Sequence, residues 1–178
     1  YLSWLSYPTR ILLPGILRDR HFSPEIASEI SGIAAALNVS EDHMLLYNFM
    51  YESAALCTSI VAKAEDGTII HGRTLDHEFT ESLGNLIFEA EFYRGGVLLD
   101  KAPMCAGIVG IATAFKSGGF SVSINQRDLP TWLDTVYSAW KGNIGNMFAM
   151  RHAIETFDKF TDAVSYLSSV KTTAGSYY

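Results

Sequence analysis

A cysteine and a carboxylate stand at the two ends of one predicted hairpin. Residues 57–76 contain two apolar-rich segments on either side of Asp66-Gly67, and Asp-Gly between such segments is a strong signal for a β-hairpin turn. If these two residues alone form the turn, counting outward along both strands places Cys57 directly opposite Asp76. A thiol beside a carboxylate can act as an activated nucleophile, so we predict a nucleophilic site at the end of this hairpin.

Two further side chains on the second strand are candidates for the same site. Strict alternation turns Arg73 to the face opposite Asp76, so Arg73 reaches the site only through a bulge or bend near Gly72. His71 is the alternative general base, because many cysteine hydrolases use histidine. It lies roughly 16 Å from Cys57 at the usual rise of a strand, and we therefore interpret it as structural.

Each of these assignments has a structural alternative. On spacing alone, a lone cysteine such as Cys57 is more often a small buried hydrophobe than a nucleophile. Arg73 and Asp76 can form an ordinary surface ion pair, although the alignment of Asp76 with Cys57 favours a functional role. Cys105 has no comparable surroundings, and we predict that it is a core residue without a disulfide to Cys57.

Helical patterns precede the hairpin. Residues 1–20 form an apolar segment interrupted by two prolines, which indicates one or two short helices. Ser23 is followed by a proline and a glutamate and predicts a helix start, and Asn38 predicts the end of that helix. Ser40 predicts the start of the next helix, which leads towards the hairpin.

Beyond the hairpin, apolar residues recur first with the period of a strand and then with the period of a helix. The strands predicted from this pattern cover residues 86–94, 97–104, 108–115 and 120–125. From Thr131 onward helices are predicted again, among them helices over 147–157 and 161–170. The order of helices, antiparallel strands and helices indicates an α+β fold.

Composition and charge argue against several classes of function. A chain of 178 residues fits one structural domain, and its net charge of −6 without a basic cluster argues against nucleic-acid binding. The five histidines show no metal-ligand spacing, and we predict neither a metal nor a cofactor. The apolar segment 1–17 is most simply core, with contact to a membrane surface as the alternative.

Asn38-Val39-Ser40 is an N-glycosylation sequon. A helix end followed by a helix start explains the same residues without any sugar. The two interpretations are compatible because such a junction should be exposed. We therefore predict a glycan on Asn38.

Four segments resemble a known family. They are MYESAALCTSIVA (50–62), HGRTLD (71–76), AGIVG (106–110) and FSVSINQR (120–127). In this order they resemble segments of the acid ceramidase and N-acylethanolamine acid amidase family, and the Tyr-Glu-Ser before the cysteine is more similar to the acid amidase branch. The resemblance implies an N-terminal-nucleophile hydrolase with an αββα four-layer sandwich, of which we expect this chain to be a fragment.

The resemblance also implies how the enzyme is activated. A precursor would cut itself between Leu56 and Cys57, and Cys57 would then supply the nucleophilic thiolate and, through its freed α-amine, the general base. Arg73 and Asp76 match the two charged partners that hold the cysteine and support the cut. The implied substrate is a lipid amide, either a ceramide or an N-acylethanolamine.

The same resemblance implies two subunits and a compartment. Residues 1–56 correspond to a helical α-subunit-like segment, and residues 57–178 correspond to the N-terminal part of a β-subunit-like hydrolase segment. After the cut the two would remain together as a heterodimer within one structural domain. Family members follow the secretory pathway, which implies a lysosomal or secreted glycoprotein made as a zymogen.

The chain departs from the family pattern next to Asn125. Gln126-Arg127 stands where the family has a glutamate followed by an arginine, and a glutamine cannot ionise or hold a proton for transfer. We keep Asn125, Gln126 and Arg127 as supporting site residues and expect weaker or differently tuned self-cleavage. The alternative function is an uncleaved or degenerate relative that serves as an assembly component or a lipid-binding module.

Overall fold

The computed structural model describes residues 22–49, 55–77, 83–127 and 131–178, and Gly15 by itself. The helices predicted over residues 1–20, and the apolar segment 1–17, therefore lie outside the described residues apart from Gly15. Along the described ranges, helices come first, antiparallel strands follow, and helices with a short final strand end the chain. This order confirms the predicted α+β class. None of the described helices has the length and apolar character that crossing a bilayer requires.

Side-chain caps set the ends of the two helices before the hairpin. α1 spans Pro24–Leu37 and α2 spans Glu41–Asn48. The hydroxyls of Ser23 and Ser40 each accept a hydrogen bond of 3.3 Å from a backbone N–H in the first turn that follows. Asn38 ends α1 in the left-handed conformation, which asparagine tolerates better than most residues. The predicted starts and the predicted end are therefore confirmed.

The hairpin is present, with a loop one residue longer than predicted. β1 (Ala55–Lys63) and β2 (Ile69–His77) pair in antiparallel orientation. The N–H of Ala64 donates to the carbonyl of Thr68 at 2.8 Å, so residues 65–67 form the loop. Gly67 ends this loop with a φ of 91°, as is typical of three-residue hairpin loops that close with a glycine bulge.

The longer loop shifts the register of the two strands by one residue. Cys57 lies opposite Leu75, and Asp76 lies opposite Leu56. The predicted pairing of Cys57 with Asp76 is therefore wrong, because that prediction assumed a two-residue turn.

Arg73 changes face with this register. A shift of one residue turns every side chain to the other face of the strand, and Arg73, which pairs with Ser59, shares the inner face with Cys57. The ladder continues through Gly72 without a register shift. The bulge or bend predicted near Gly72 is therefore wrong, and Arg73 reaches the cysteine through plain alternation.

A four-stranded antiparallel sheet follows the hairpin along the chain, in the order β3-β4-β5-β6. Its strands are β3 (Ile87–Arg94), β4 (Val97–Cys105), β5 (Thr113–Phe115) and β6 (Ser121–Ser123). A separate short pair consists of β7 (Asn125–Gln126) and β8 (Ser176–Tyr177). Among the described residues, the hairpin shares no backbone ladder with either sheet.

Three helices follow β7 in the chain. They are α3 (Trp132–Trp140), α4 (Asn146–Thr156) and α5 (Phe160–Ser169). The bounds of α4 and α5 differ by one residue from the helices predicted over 147–157 and 161–170, so both predictions are confirmed. α3 begins with a capping box in which the side chains of Thr131 and Asp134 bind each other's backbone N–H.

The strand predicted over 108–115 exists only at its end, as β5. Upstream of β5 the N–H of Ile111 donates to the carbonyl of Met147 at 3.1 Å. Gly110 lies so close to α4 that an added Cβ atom would stand 2.6 Å from the Cβ of Met147. Close packing against α4 replaces the strand ladder here.

Helix α4 contributes to two apolar clusters. One cluster joins α1 and α2 to α4, and in it the rings of Phe49 and Phe148 lie 5.7 Å apart. The other cluster joins α4 to the four-stranded sheet and includes the fully buried Ile154. Cys57 and Leu75 pack against this second cluster, so the core supports the inner face of the hairpin where the predicted nucleophile lies.

Candidate active site

A guanidinium group lies against the sulfur of the half-buried Cys57. Nη2 of Arg73 donates a hydrogen bond to Sγ of Cys57 at 3.0 Å. The same nitrogen donates to the carbonyl of Ile124 at 2.7 Å, and Nη1 donates to Oγ1 of Thr113 at 2.9 Å. Partners from several segments thus fix the guanidinium. Its charge can stabilise the thiolate that forms when the thiol of Cys57 gives up its proton, before the sulfur attacks a carbonyl carbon.

Asp76 lies beside the Leu56–Cys57 peptide bond and not beside the thiol. It pairs with Leu56 across the hairpin, and strand alternation places its side chain on the face opposite Cys57. The carboxylate is exposed and accepts a hydrogen bond from the hydroxyl of Thr74 at 3.3 Å. Asp76 therefore lies level with the bond where self-cleavage is predicted.

Among the three supporting residues, Asn125 bonds directly to a side chain on the inner face of the hairpin. Oδ1 of Asn125 accepts from the hydroxyl of Ser59 at 3.1 Å. Gln126 pairs with Ser176 in the ladder of β7 and β8. Arg127 continues that segment, and its N–H donates to a backbone carbonyl at 3.0 Å.

Polar side chains connect the hairpin to the strand β6 and its continuation. The hydroxyls of Ser59 and Ser123 lie 2.7 Å apart. Nδ1 of His71 lies 2.9 Å from the hydroxyl of Ser121, and Nε2 lies 3.2 Å from the hydroxyl of Ser123. We name the contacts of Ser59 and His71 with Ser121, Ser123 and Asn125 the polar seam.

The serines of the polar seam were not predicted as site residues. Ser121, Ser123 and Asn125 alternate with apolar residues, and this alternation indicates a strand with one polar face. The pattern alone does not show what that face contacts. The partners Ser59 and His71 lie more than forty positions earlier in the chain, as the 64-residue separation of Ser59 and Ser123 illustrates.

An apolar cavity of about 420 Å³ opens next to the guanidinium of Arg73. Leu75, which pairs with Cys57, also lines it. Its other walls include Pro103, Met104, Ile108 and Met147. A cavity of this size and character accommodates an apolar ligand, with the cation as a polar group at one side.

Contacts across position 57 tie the helices before the hairpin to the rest of the chain. Arg151 on α4 is buried, and its Nη2 donates to Glu29 on α1 at 2.7 Å. Burial alone would lower the pKa of Arg151. The hydrogen bonds to Glu29 and Glu155, together with their charges, raise the pKa by more than burial lowers it, so the net shift is upward. The buried side-chain amide of Asn48, on α2, likewise donates to the carbonyl of Gly107, which follows position 57, at 2.9 Å.

Comparison with known proteins finds relatives of two kinds, although no family model matches. The N-acylethanolamine-hydrolyzing acid amidase of Caenorhabditis elegans is 32% identical over 172 residues, which cover 89% of this chain and 48% of the relative. The acid ceramidase of Bos taurus is 30% identical over an alignment 188 positions long, gaps included, which covers 93% of this chain and 46% of the relative. The chain therefore spans about half the length of the curated relatives it matches.

A solved structure of one of these relatives is also similar to this chain. The structure of the Caenorhabditis elegans N-acylethanolamine-hydrolyzing acid amidase ortholog superimposes with a TM-score of 0.59 and 32% identity, covering 67% of this chain and 52% of that chain. The match confirms the predicted fold class, an N-terminal-nucleophile sandwich of which this chain covers a part. Over most of its length, this chain belongs to the family of the acid ceramidases and N-acylethanolamine-hydrolyzing acid amidases.

Proposed function

We propose that this chain carries the nucleophile of a lipid-amide hydrolase and that self-cleavage between Leu56 and Cys57 activates it. The observation that carries the proposal is the hydrogen bond of 3.0 Å from Arg73 to the sulfur of Cys57. Homology to enzymes named for ceramide and N-acylethanolamine hydrolysis supports the substrate class. The compartment we propose, lysosomal or secreted, rests on the same relatives.

The proposed reaction has two covalent steps. The α-amine of the freed Cys57 takes the thiol proton, and the sulfur attacks the carbonyl carbon of the lipid amide. The carbon–nitrogen bond then breaks, the amine leaves with that proton, and the acyl group remains on sulfur as a thioester. Water hydrolyses the thioester, which releases the fatty acid and regenerates the thiol. Arg73 stabilises negative charge on the sulfur as attack begins.

Asp76 takes a different role from Arg73 in this proposal. The carboxylate lies level with the Leu56–Cys57 bond, so the new α-amino group of Cys57 forms next to it. We propose that Asp76 supports the cut and then orients that amine electrostatically. Asn125 is a further support, because it binds Ser59 on the inner face of the hairpin.

The cavity beside Arg73 supplies a place for the fatty acyl chain. Its largely apolar walls, with Arg73 and Leu75 among the lining residues, favour a substrate with a long apolar part and a polar amide. The amide carbonyl would then lie near the sulfur of Cys57. Any contact of segment 1–17 with a membrane surface belongs to the same proposal and concerns residues outside the described ranges.

After cleavage, we propose that segments 1–56 and 57–178 stay together as a heterodimer. The ion pair of Glu29 with Arg151 and the apolar cluster of α1, α2 and α4 support this association. Asn38, which is exposed at the junction of α1 and α2, is the proposed glycan site.

A second candidate function is an uncleaved or degenerate relative, and Gln126 favours it. Glutamine cannot hold a proton for transfer as the family's glutamate can. We expect Gln126→Glu to speed self-cleavage if the glutamine limits the reaction, measured as the time course of chain cutting. Slower cutting in Gln126→Glu would contradict the idea that the glutamine limits self-cleavage, because it would show that an added carboxylate slows the reaction.

The proposed activity is tested by incubating the full-length protein with a long-chain N-acylethanolamine and with a ceramide at acidic pH. We expect release of the fatty acid by the wild-type protein and none by Cys57→Ser, because a hydroxyl is a much weaker nucleophile than an activated thiol. Ser28→Ala, which removes an exposed hydroxyl on α1 that bonds only a neighbouring backbone carbonyl, is the control and should keep its activity. Hydrolysis by Cys57→Ser at the wild-type rate would overturn the assignment.

A further inference from the structure

Side chains, and not a backbone ladder, join the hairpin to the four-stranded sheet among the described residues. The polar seam therefore helps to set where the inner face of the hairpin stands relative to that sheet. Cys57 and Arg73 lie on this same inner face. A change in the polar seam should consequently alter the surroundings of the Cys57 sulfur.

The hydrogen bonds of the polar seam have a defined direction. The hydroxyl of Ser59 donates its only hydrogen to Oδ1 of Asn125, so it must accept from the hydroxyl of Ser123. Ser123 has then used its own hydrogen and must accept from Nε2 of His71. Nε2 therefore carries a proton, and His71 is the donor at the start of the chain. Nδ1 meets Ser121, whose hydroxyl can donate or accept.

This chain of hydrogen bonds brackets the residue that anchors Arg73. Ile124 stands between Ser123 and Asn125, and its carbonyl accepts from the same Nη2 of Arg73 that binds the sulfur of Cys57. A shift of residues 123–125 away from the hairpin would pull Arg73 off the sulfur.

We propose that His71 is a positioning residue for the reaction at Cys57. It holds residues 123–125 against the hairpin through Ser123, and thereby keeps Arg73 on the sulfur. The inference rests on the proposed function in naming that reaction, whereas the positioning of Arg73 against Cys57 can be measured without any substrate. His71 lines the same cavity as Arg73, but it pairs with Val61, four positions along the strand from Cys57, and so acts on the sulfur through Arg73.

The test measures alkylation of the full-length protein by iodoacetamide, with each cysteine followed separately by peptide mass spectrometry. We expect His71→Ala to slow alkylation of Cys57 by about two- to tenfold, as for the loss of one ordinary hydrogen bond. Cys105 lies on β4, where its sulfur contacts the hydroxyl of Tyr47, and serves as the internal reference for any general loosening of the cavity that it lines together with His71. Its alkylation rate should not change.

Conservative variants separate positioning from general packing. His71→Gln should restore the rate, because the amide nitrogen of glutamine can occupy the place of Nε2 and donate to Ser123. His71→Asn should not, because its shorter side chain reaches only the place of Nδ1 beside Ser121. Ser123→Ala should behave like His71→Ala, and Ser121→Ala should behave like the wild type.

The same variants are then assayed for lipid-amide hydrolysis, where we expect His71→Ala to lower kcat and His71→Gln to restore it. A wild-type alkylation rate of Cys57 in His71→Ala, or equal rescue by asparagine and glutamine, would overturn the positioning role. If the wild-type protein hydrolyses no lipid amide while the alkylation pattern appears as expected, the proposed function fails and the positioning role stands.

Discussion

Arg73 is the side chain on which the geometry of the candidate site depends. Its guanidinium donates to a sulfur, a carbonyl and a hydroxyl from separate segments of the chain. A lysine carries the same charge on a single flexible nitrogen and cannot hold three separated acceptors in one fixed geometry. Charge alone is therefore not sufficient at this position.

We expect Arg73→Lys to slow self-cleavage of the full-length protein by about tenfold or more, since each hydrogen bond from a charged donor is worth roughly 1.5–3 kcal/mol. The measurement is the rate at which a chain beginning at Cys57 appears. Arg94→Lys is the matched control, because Arg94 pairs with Glu25 and Glu155 away from the hairpin's inner face. Equal rates in Arg73→Lys and the wild type would contradict this role.

At the scale of elements, the hairpin loop decides which residues can meet. Asp-Gly occurs both in two-residue turns and in three-residue loops that end in a glycine bulge, so the sequence predicts the hairpin without fixing its register. The side chain of Asp66 accepts from the N–H of Thr68 at 2.9 Å. Hydrogen bonds from Thr68 lower the pKa of Asp66, so the ionised carboxylate supports the longer loop.

We expect Gly67→Ala to lower the free energy of unfolding by roughly 1 kcal/mol, because an alanine is strained in the left-handed region that Gly67 occupies. Urea unfolding at neutral pH measures the change. Gly72→Ala is the control, since Gly72 also has open space around it but lacks a left-handed φ. A loss of stability as large in the control would show that the loop conformation is not the cause.

Local and distant interactions explain which elements could be predicted. The helix starts at Ser23 and Ser40 follow from caps a few residues away, and local sequence contains that information. The polar seam depends on contacts such as that between Ser59 and Ser123, 64 residues apart. The absence of strand pairing at Gly110 results from its close packing against Met147 on α4. Such long-range packing overrides the local periodicity from which strands are predicted.

At the scale of the whole molecule, burial of Asp100 couples stability to pH. Asp100 on β4 is 1% exposed, and neither of its oxygens has a hydrogen-bond partner among the described residues. Burial, together with the charge of Glu155, raises the pKa of Asp100 to about 6, while Arg151 and Lys116 act in the opposite direction. The folded molecule therefore holds this proton more tightly than the unfolded chain does.

The sign of the pH effect follows from this difference. Below about pH 4 the carboxyl group is protonated in both states and contributes no pH dependence. As the pH rises towards the folded-state pKa of about 6, the unfolded chain releases the proton first, so the free energy of unfolding falls. Above that pH the cost of the buried charge is fully present. Asp100 therefore favours stability at acidic pH.

We expect Asp100→Asn to flatten this dependence, so that the free energy of unfolding falls by about 1–3 kcal/mol less between pH 4 and pH 7 than in the wild type. Urea unfolding at a series of pH values provides the measurement. Asp158→Asn is the control, because Lys116 lowers the pKa of this exposed carboxylate below its ordinary value, so its contribution changes only below about pH 4 and the slope between pH 4 and pH 7 should stay close to that of the wild type. A wild-type slope in Asp100→Asn would contradict the prediction.

Mass spectrometry of the terminal peptides decides whether Cys57 becomes the first residue of a new chain. The full-length protein is purified, incubated at acidic pH and analysed beside Cys57→Ser. We expect two chains that remain associated, one ending at Leu56 and one beginning at Cys57, and an uncut Cys57→Ser protein. A wild-type chain that stays intact, or a new chain that begins at another residue, would contradict this expectation.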